Sequence, residues 1–191
     1  MTTSAQHTDP IARGYHGTSK MAAEAILREG FQHSGNPYDW LGDGVYFFQD
    51  ASQRAIEWAT NWYGDDAAVV AAEIVLTDCL DLIDTRWTRV ITEVYDRYLE
   101  ILKRSGIPIP RQAGGAHRLD REVINYAVGV LAERGIYIAC VRGAFAEGRP
   151  IYPDSALYDL AHVQIAVRDI KRCIKRLWLV GEGSEVSNGR P

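Results

Sequence analysis

The sequence predicts a single-domain α+β fold, in which short strands form a split, mainly antiparallel sheet around a cleft with helices on its flanks. With 191 residues, 47% of them hydrophobic, the chain is long enough for one well-buried core and too short for two comfortable domains. Short apolar strand patterns alternate with helical patterns, and a His, a Tyr and a Gln occupy three separate strands. We expect the domain to span 11–180, between a flexible leader at 1–10 and a disordered tail at 181–191.

The first strand and helix follow from a short apolar run and a helical repeat. Ile11–His16 has the pattern of a strand, and Thr18 or Ser19 can cap the helix that Gly30 ends. A polar loop, Gln32–Asp39, comes next and has the composition of a segment that edges a site. The apolar positions of this helix recur at helical spacing, at Met21, Ala22, Ala25 and Ile26.

The second strand is the centre of the predicted site. Gly42 and Gly44 make a turn in which the backbone can approach a ligand, and Val45–Phe48 has the β-branched and aromatic content of a buried strand. We expect this strand to pair with the first one. His16 and Tyr46 would then face one cleft.

A second helix and a central strand follow. Asp50 or Ser52 is predicted to cap the helix, and Gly64 to stop it. Ala67–Leu76 is an almost continuous apolar run, typical of a strand buried on both faces, and Leu80–Ile83 extends it or adds a short strand. One face of the helix carries small and aromatic residues, Ala51, Ala55, Trp58, Ala59 and Trp62.

Two further helices form a predicted helical insertion at about 85–134. Apolar residues recur at helical spacing throughout Thr85–Arg104, and a second helix runs from Asp120 to Glu133, before Gly135.

The last strands are predicted at Tyr137–Val141, His162–Val167 and Leu177–Val180. The segment Arg142–Ala161 joins the first two. A loop of this length is uncommon in a compact domain, so we expect it to have a functional role.

Composition excludes several classes of function. A formal charge of −4 and a pI of about 5.7 argue against binding nucleic acid by bulk electrostatics. Neither a secretory signal nor a membrane-spanning run is present, so a soluble cytoplasmic protein is expected. A local basic cluster is either a solvated edge or a surface that holds RNA, DNA or a pyrophosphate; it comprises Arg168, Lys171, Arg172, Lys175 and Arg176.

The cysteines predict neither a disulfide framework nor a zinc site. Cys79, Cys140 and Cys173 are odd in number and widely spaced, and two of them lie in apolar runs, as expected of reduced structural cysteines. No metal is implied.

The order of these motifs resembles that of a known enzyme family. The runs Tyr15-His16-Gly17-Thr18 and Gly42-Asp43-Gly44-Val45-Tyr46-Phe47, followed by a helix with an aromatic residue and a late strand with a polar one, resemble ADP-ribosyltransferases of the diphtheria-toxin and poly(ADP-ribose) polymerase type. The resemblance is strongest over Tyr15–Trp62 and weaker over Val69–Leu76 and His162–Asp169. It implies that NAD is the co-substrate and that the fold is that of the family.

The resemblance also implies a role for each matching residue. His16 would bond the ribose of the adenosine half, and the Gly17 backbone, beside Thr18, would hold the nicotinamide carboxamide. Tyr46 would stack on the nicotinamide ring and Trp58 would cover its other face. That ring is cationic in NAD, so aromatic faces attract it.

The third residue of the family's triad differs here. The family usually has a Glu on the late strand, where this chain has Gln164. Gln can bond a ribose hydroxyl but brings no charge and cannot act as a base. This difference disfavours poly(ADP-ribose) synthesis. Glu147 is a candidate for the missing carboxylate and is as readily a solvated loop residue.

The expected activity is therefore mono-ADP-ribosyl transfer from NAD to a protein or nucleic acid, in a bacterial toxin or phage-defence effector that an antitoxin or regulatory protein could control. Two alternatives stay open. An NAD glycohydrolase would release free ADP-ribose, and a non-catalytic module would bind NAD or ADP-ribose without turnover.

Overall fold

A computed structural model describes residues 9–33, 36, 39–112 and 116–181. Over those ranges the chain forms a mostly antiparallel seven-stranded sheet and five helices, which confirms the α+β class. The strands are β1 (Ile11–Ser19), β2 (Val45–Gln49), β3 (Ala67–Val75), β4 (Cys79–Asp81), β5 (Cys140–Phe145), β6 (His162–Val167) and β7 (Ile174–Leu179). The helices are α1 (Lys20–Glu29), α2 (Ser52–Tyr63), α3 (Thr85–Ser105), α4 (Arg118–Glu133) and α5 (Ile170–Cys173).

The sheet is nearly divided between β1 and β2. Its order is β4-β5-β6-β2-β1-β3-β7, and only β4 and β5 are parallel. β1 pairs with β3 along all nine of its residues, but with β2 only at Gly14↔Gln49 and Tyr15↔Phe48. A four-stranded half and a three-stranded half are therefore joined by a short ladder, and the strands separate after Tyr15.

Helices cover both faces of the sheet. Phe47 and Phe48 are consecutive in β2, so their side chains point to opposite faces. Phe47 belongs to the core that includes Ala23 of α1, whereas Phe48 packs with Ala55 and Ala59 of α2. A third cluster joins the sheet to the helical insertion through buried residues such as Leu80, Ile124, Leu131 and Val141.

The start and end of α1 agree with its sequence signals. Ser19 accepts a hydrogen bond from the Ala22 N–H at 3.3 Å, and the Gly30 N–H donates to the Ile26 carbonyl. β1 extends to Ser19, three residues beyond the prediction, because β3 pairs with it over its whole length.

The predicted cap of α2 was wrong. Ala51 occupies the cap position and offers no side-chain bond. Asp50 has φ +52° and donates its N–H to the Arg13 carbonyl at 2.8 Å, so this residue continues the sheet contact rather than capping the helix. Ser52 is already the first residue of the helix. Trp62, predicted on the shared face, is 71% exposed.

Of the three late strands, β6 has its predicted bounds, His162–Val167, whereas β5 and β7 are displaced. β5 begins at Cys140, and Tyr137 lies outside the sheet, where it donates its hydroxyl to Asp169 Oδ2 at 2.6 Å. The loop between β5 and β6 is therefore 146–161, shorter than predicted. β7 begins three residues early, at Ile174, where it pairs with Ile74.

Parts of the predicted leader, tail and polar loop lie outside the described residues, as do 113–115 between α3 and α4. Among the helices that the structure describes, none has the length and apolarity needed to cross a membrane.

Candidate functional site

A cleft of about 460 Å³ opens beside the place where β1 and β2 separate. Residues from both strands, from α1 and α2, and from the loop before β2 form its walls. The walls carry His16, Ala22, Ala25, Ile26, Glu29, Gly30, Phe31, Gln32, Asn36, Asp39, Val45, Tyr46 and Trp58. The cleft therefore unites His16, Tyr46 and Trp58, three of the residues predicted from the sequence.

His16 bridges the gap between the two strands. Its Nδ1 lies 2.9 Å from the Tyr46 carbonyl oxygen, which can only accept, so Nδ1 carries the proton. The ring packs against Phe31 and Phe47, with centroids 5.1 and 5.8 Å away. Burial lowers the pKa of His16, and the bond to Tyr46 opposes that shift. At neutral pH the imidazole is uncharged, and Nε2 is a hydrogen-bond acceptor.

Tyr46 holds the turn that precedes its own strand. Its hydroxyl accepts from the Leu41 N–H at 2.7 Å and donates to the Gly42 carbonyl at 2.8 Å. Burial and the nearby charge of Asp39 raise the pKa of Tyr46. With its hydroxyl engaged in two bonds, Tyr46 offers the cleft an aromatic ring rather than an acid or a base.

The helical insertion fixes this turn from outside. Asn125 of α4 accepts the Asp43 N–H at 3.0 Å, and Arg168 donates to the Asp43 carbonyl at 2.9 Å. Arg121 of α4 pairs with the Asp43 carboxylate at 2.5 Å. Gly42 has φ +79°, and a Cβ there would lie 2.6 Å from Asn125 Oδ1, so glycine is required. Helix α4 thereby positions the turn that Tyr46 closes.

Gly17 allows α2 to pack closely on β1. A Cβ at this position would lie 2.8 Å from the Ala55 carbonyl oxygen and 3.0 Å from the Trp58 ring. Gly17 lies opposite Val69 in β3, and the Val69 carbonyl points away from β1, because it accepts the Val180 N–H on the other side of β3. Gly17 and Val69 are therefore a non-hydrogen-bonded pair of the antiparallel ladder. The Gly17 N–H and C=O consequently point away from β3 and towards β2, beyond the last paired residues of β1 and β2.

Thr18 has a different position from the one predicted. It is 6% exposed, pairs with Ala68 of β3, and is not among the described residues that line the cleft. Its role in the structure is to extend the β1–β3 ladder towards the cap of α1.

Neither proposed third residue is part of the described cleft wall. Gln164 lies in the middle of β6, opposite Phe48 on one side and Gly143 on the other. Glu147, at the start of the β5–β6 loop, forms an ion pair with Arg54 of α2, in which Arg54 Nη2 lies 2.9 Å from Glu147 Oε2. Glu147 is therefore an ion-paired loop residue whose side chain remains 38% exposed.

Sequence reasoning missed a carboxyl group in the cleft, that of Asp39. Its Oδ2 accepts the Asn36 N–H at 2.9 Å. Burial raises the pKa of Asp39 to about 6, while the bond to Asn36 and the charge of Arg121 oppose the shift and Asp43 reinforces it. The signal available in the sequence was a carboxylate in the polar loop, one residue before Trp40.

A second cavity, of about 540 Å³, lies between the helical insertion and the sheet. Trp40 borders it, with its ring centroid 3.8 Å from that of His117 and 4.4 Å from that of Phe145. This cavity is mainly apolar and includes residues of both insertion helices, such as Ile91 and Ile124.

The three cysteines meet in space despite their spacing in the sequence. Cys79 and Cys140 are partners in the parallel β4–β5 pair, and the Cys173 thiol donates to the carbonyl of Ala139, the residue before Cys140, at 3.5 Å. The neighbouring thiols of Cys173 and Cys79, together with burial, raise the pKa of Cys140. All three cysteines are free thiols.

Three arginines of the basic cluster have partners within the chain. Arg168 is bound to the Asp43 turn, Arg172 pairs with Asp78 at 2.5 Å, and Arg176 lies over the Trp178 ring at 5.4 Å.

Over the described ranges, no group of three or more His, Cys, Asp or Glu side chains is arranged to hold a metal ion. Comparison of the chain with protein-family models, with curated proteins and with solved structures finds no match.

Proposed function

We propose that the protein cleaves the nicotinamide–ribose bond of NAD and transfers ADP-ribose to a macromolecular acceptor, a protein or a nucleic acid. The observation that carries this proposal is the cleft at the divergence of β1 and β2, lined by His16, Tyr46 and Trp58 together. These are the positions at which the sequence resembles ADP-ribosyltransferases. The volume of the cleft, about 460 Å³, lies within the range of small-molecule sites.

The nicotinamide end of NAD meets suitable groups in this cleft. The rings of Tyr46 and Trp58 give the cationic nicotinamide two aromatic partners, each worth about 1 kcal/mol. Gly17 is buried next to His16 and is not among the described lining residues, but its N–H and C=O point towards β2 and offer a donor and an acceptor to a carboxamide beside the cleft. His16 Nε2 is an acceptor for a ribose hydroxyl.

The bond cleavage fits a site that binds the leaving group firmly. Nicotinamide leaves with the electron pair of the glycosidic bond, and the positive charge of the ring is transferred to an oxocarbenium-like ribose. An acceptor O–H or N–H group then attacks the ribose carbon. Gln164 has no charge, and Glu147 is paired with Arg54, so single transfer is proposed rather than chain elongation.

Incubation with NAD labelled in the adenosine half tests the proposal. The full chain is added to cell lysate, which is then treated with nuclease in one portion and protease in the other. We expect label on a macromolecule that one treatment releases. Free ADP-ribose alone would show an NAD glycohydrolase, and unchanged NAD with measurable binding would show a non-catalytic module.

A further inference from the structure

We infer that Asp39 is the general base of the cleft, accepting the proton of the acceptor's O–H or N–H group as ADP-ribose is transferred. The inference rests on the proposed function. It assigns to a loop residue before β2 the carboxylate role for which the sequence had suggested Glu147.

The position of Asp39 supports this assignment. It lines the same cleft as His16 and Tyr46, whereas Gln164 and Glu147 are not among the described lining residues. Asp39 is half-buried, and Oδ2 is anchored by the Asn36 N–H at 2.9 Å. Because this bond engages Oδ2, we infer that Oδ1 is the oxygen that receives the proton.

The other titratable groups of the described wall are less suited to the role of base. The Tyr46 hydroxyl is engaged with Leu41 and Gly42, and its pKa is raised. The pKa of His16 is lowered, so its imidazole is a weaker base than usual. Glu29 is 53% exposed at the side chain and accepts two bonds from its neighbour Arg28.

Asp39 has the electrostatic surroundings of a base that works near neutral pH. Burial raises its pKa to about 6. Among the described residues, the charged and titratable groups that face it are Asp43 in the turn, Tyr46 on β2 and Arg121 on α4, and Asn36 bonds it within its own loop. A carboxylate with this pKa is ionised at pH 7 and is more basic than an exposed aspartate.

The transfer step balances with Asp39 as the base. The bond between the ribose carbon and the nicotinamide nitrogen breaks, and nicotinamide leaves as a neutral molecule with the electron pair. The acceptor oxygen or nitrogen bonds the same carbon. Its proton moves to the Asp39 carboxylate and from there to solvent after the product leaves.

The test compares Asp39→Asn with the wild-type chain, using transfer from NAD and NAD binding as separate readouts. Asn retains the oxygen that accepts the Asn36 N–H and cannot take a proton. We expect kcat to fall by about a hundredfold or more, with the Kd for NAD changed by less than about threefold. In the wild type, kcat/KM should fall below about pH 6, and this acid limb should be absent in Asp39→Asn. Asp39→Glu should recover part of the activity.

Asp96→Asn is the matched control, because Asp96 is an exposed aspartate on α3. It should leave both kcat and the acid limb unchanged. Wild-type kcat in a folded Asp39→Asn protein would overturn the inference while leaving the proposed function intact. So would an acid limb that persists in Asp39→Asn and vanishes in Glu147→Gln, or a loss of NAD binding equal to the loss of activity. A wild-type chain that consumes no NAD would overturn both.

Discussion

Tyr46 serves the candidate site through two different parts of its side chain. Its ring lines the cleft, while its hydroxyl bonds Leu41 and Gly42 and thereby holds the turn before β2. The two contributions can be separated, because phenylalanine keeps the ring and removes only the hydroxyl.

Tyr46→Phe should cost about 1–3 kcal/mol of unfolding free energy, since it leaves the Leu41 N–H and the Gly42 carbonyl without their partner. NAD affinity should change by less than about threefold, because stacking needs only the ring. Urea unfolding and NAD titration measure the two effects. A stable Tyr46→Phe protein that no longer binds NAD would show that the hydroxyl, and not the ring, contacts the ligand.

His16→Asn separates the two nitrogens of the imidazole. An asparagine amide can keep the bond to the Tyr46 carbonyl but has nothing at the position of Nε2. We expect NAD turnover to fall by about a hundredfold, with a smaller effect on the unfolding midpoint, some of it from lost contact with Phe31 and Phe47. Turnover like that of the wild type would make His16 a structural residue only.

Trp58 and Trp62 form a matched pair on α2. Trp58 lines the cleft, whereas Trp62 is 71% exposed and lies one helical turn further along. NAD should quench the tryptophan fluorescence of the wild type and of Trp62→Phe. The quenching should be strongly reduced in Trp58→Phe, because the stacked ring has been replaced. Equal quenching in both variants would place NAD elsewhere.

At the scale of elements, the site depends on how α2 packs against β1. The contact is close only because residue 17 has no side chain, and Trp58 is one of the groups that a Cβ would strike. The packing of one helix thus positions an aromatic wall of the cleft.

Gly17→Ala should destabilise the protein by about 1–3 kcal/mol, because its Cβ meets the Ala55 carbonyl and the Trp58 ring. Gly129→Ala in α4 is the control. A Cβ there has no neighbour within 4 Å, so the helix should gain about 0.5–1 kcal/mol. Thermal or urea unfolding compares the two. Equal stability in Gly17→Ala and the wild type would contradict the close packing.

Elements with strong local signals were predictable. Their signals lie within a few neighbouring residues, and the structure agrees with them. They are the apolar run of β3, the helical repeat of α3 and the glycines that end α1 and α2. The position of β5 was not predictable in this way. Tyr137 and Ile138 have strand-like side chains, but pairing with β4 and β6 starts at Cys140.

The candidate site was only partly predictable, because some of its contacts join residues that are far apart in the sequence. His16, Tyr46 and Trp58 carry local signals, in short motifs next to glycines or on a helix face. The ion pair between Arg54 and Glu147 joins residues 93 positions apart and leaves no local pattern. The place of Asp39 in the cleft wall likewise depends on the tertiary fold.

At the scale of the whole molecule, two layers of helices support one divided sheet. Helix α1 covers the face that carries Phe47, while α2 and the helical insertion cover the face that carries Phe48. The insertion also contacts the site through Asn125 and Arg121, which hold the Asp43 turn. Both halves of the sheet therefore contribute walls to the cleft, and the insertion holds the turn beside it.

A crystal structure of the full chain with NAD would show where the dinucleotide binds. We expect the nicotinamide ring between Tyr46 and Trp58, with a ribose hydroxyl on His16 Nε2. Nicotinamide and ribose density in the second cavity, beside Trp40 and Phe145, would contradict the proposed NAD site. An unoccupied cleft at an NAD concentration that saturates turnover would contradict it equally.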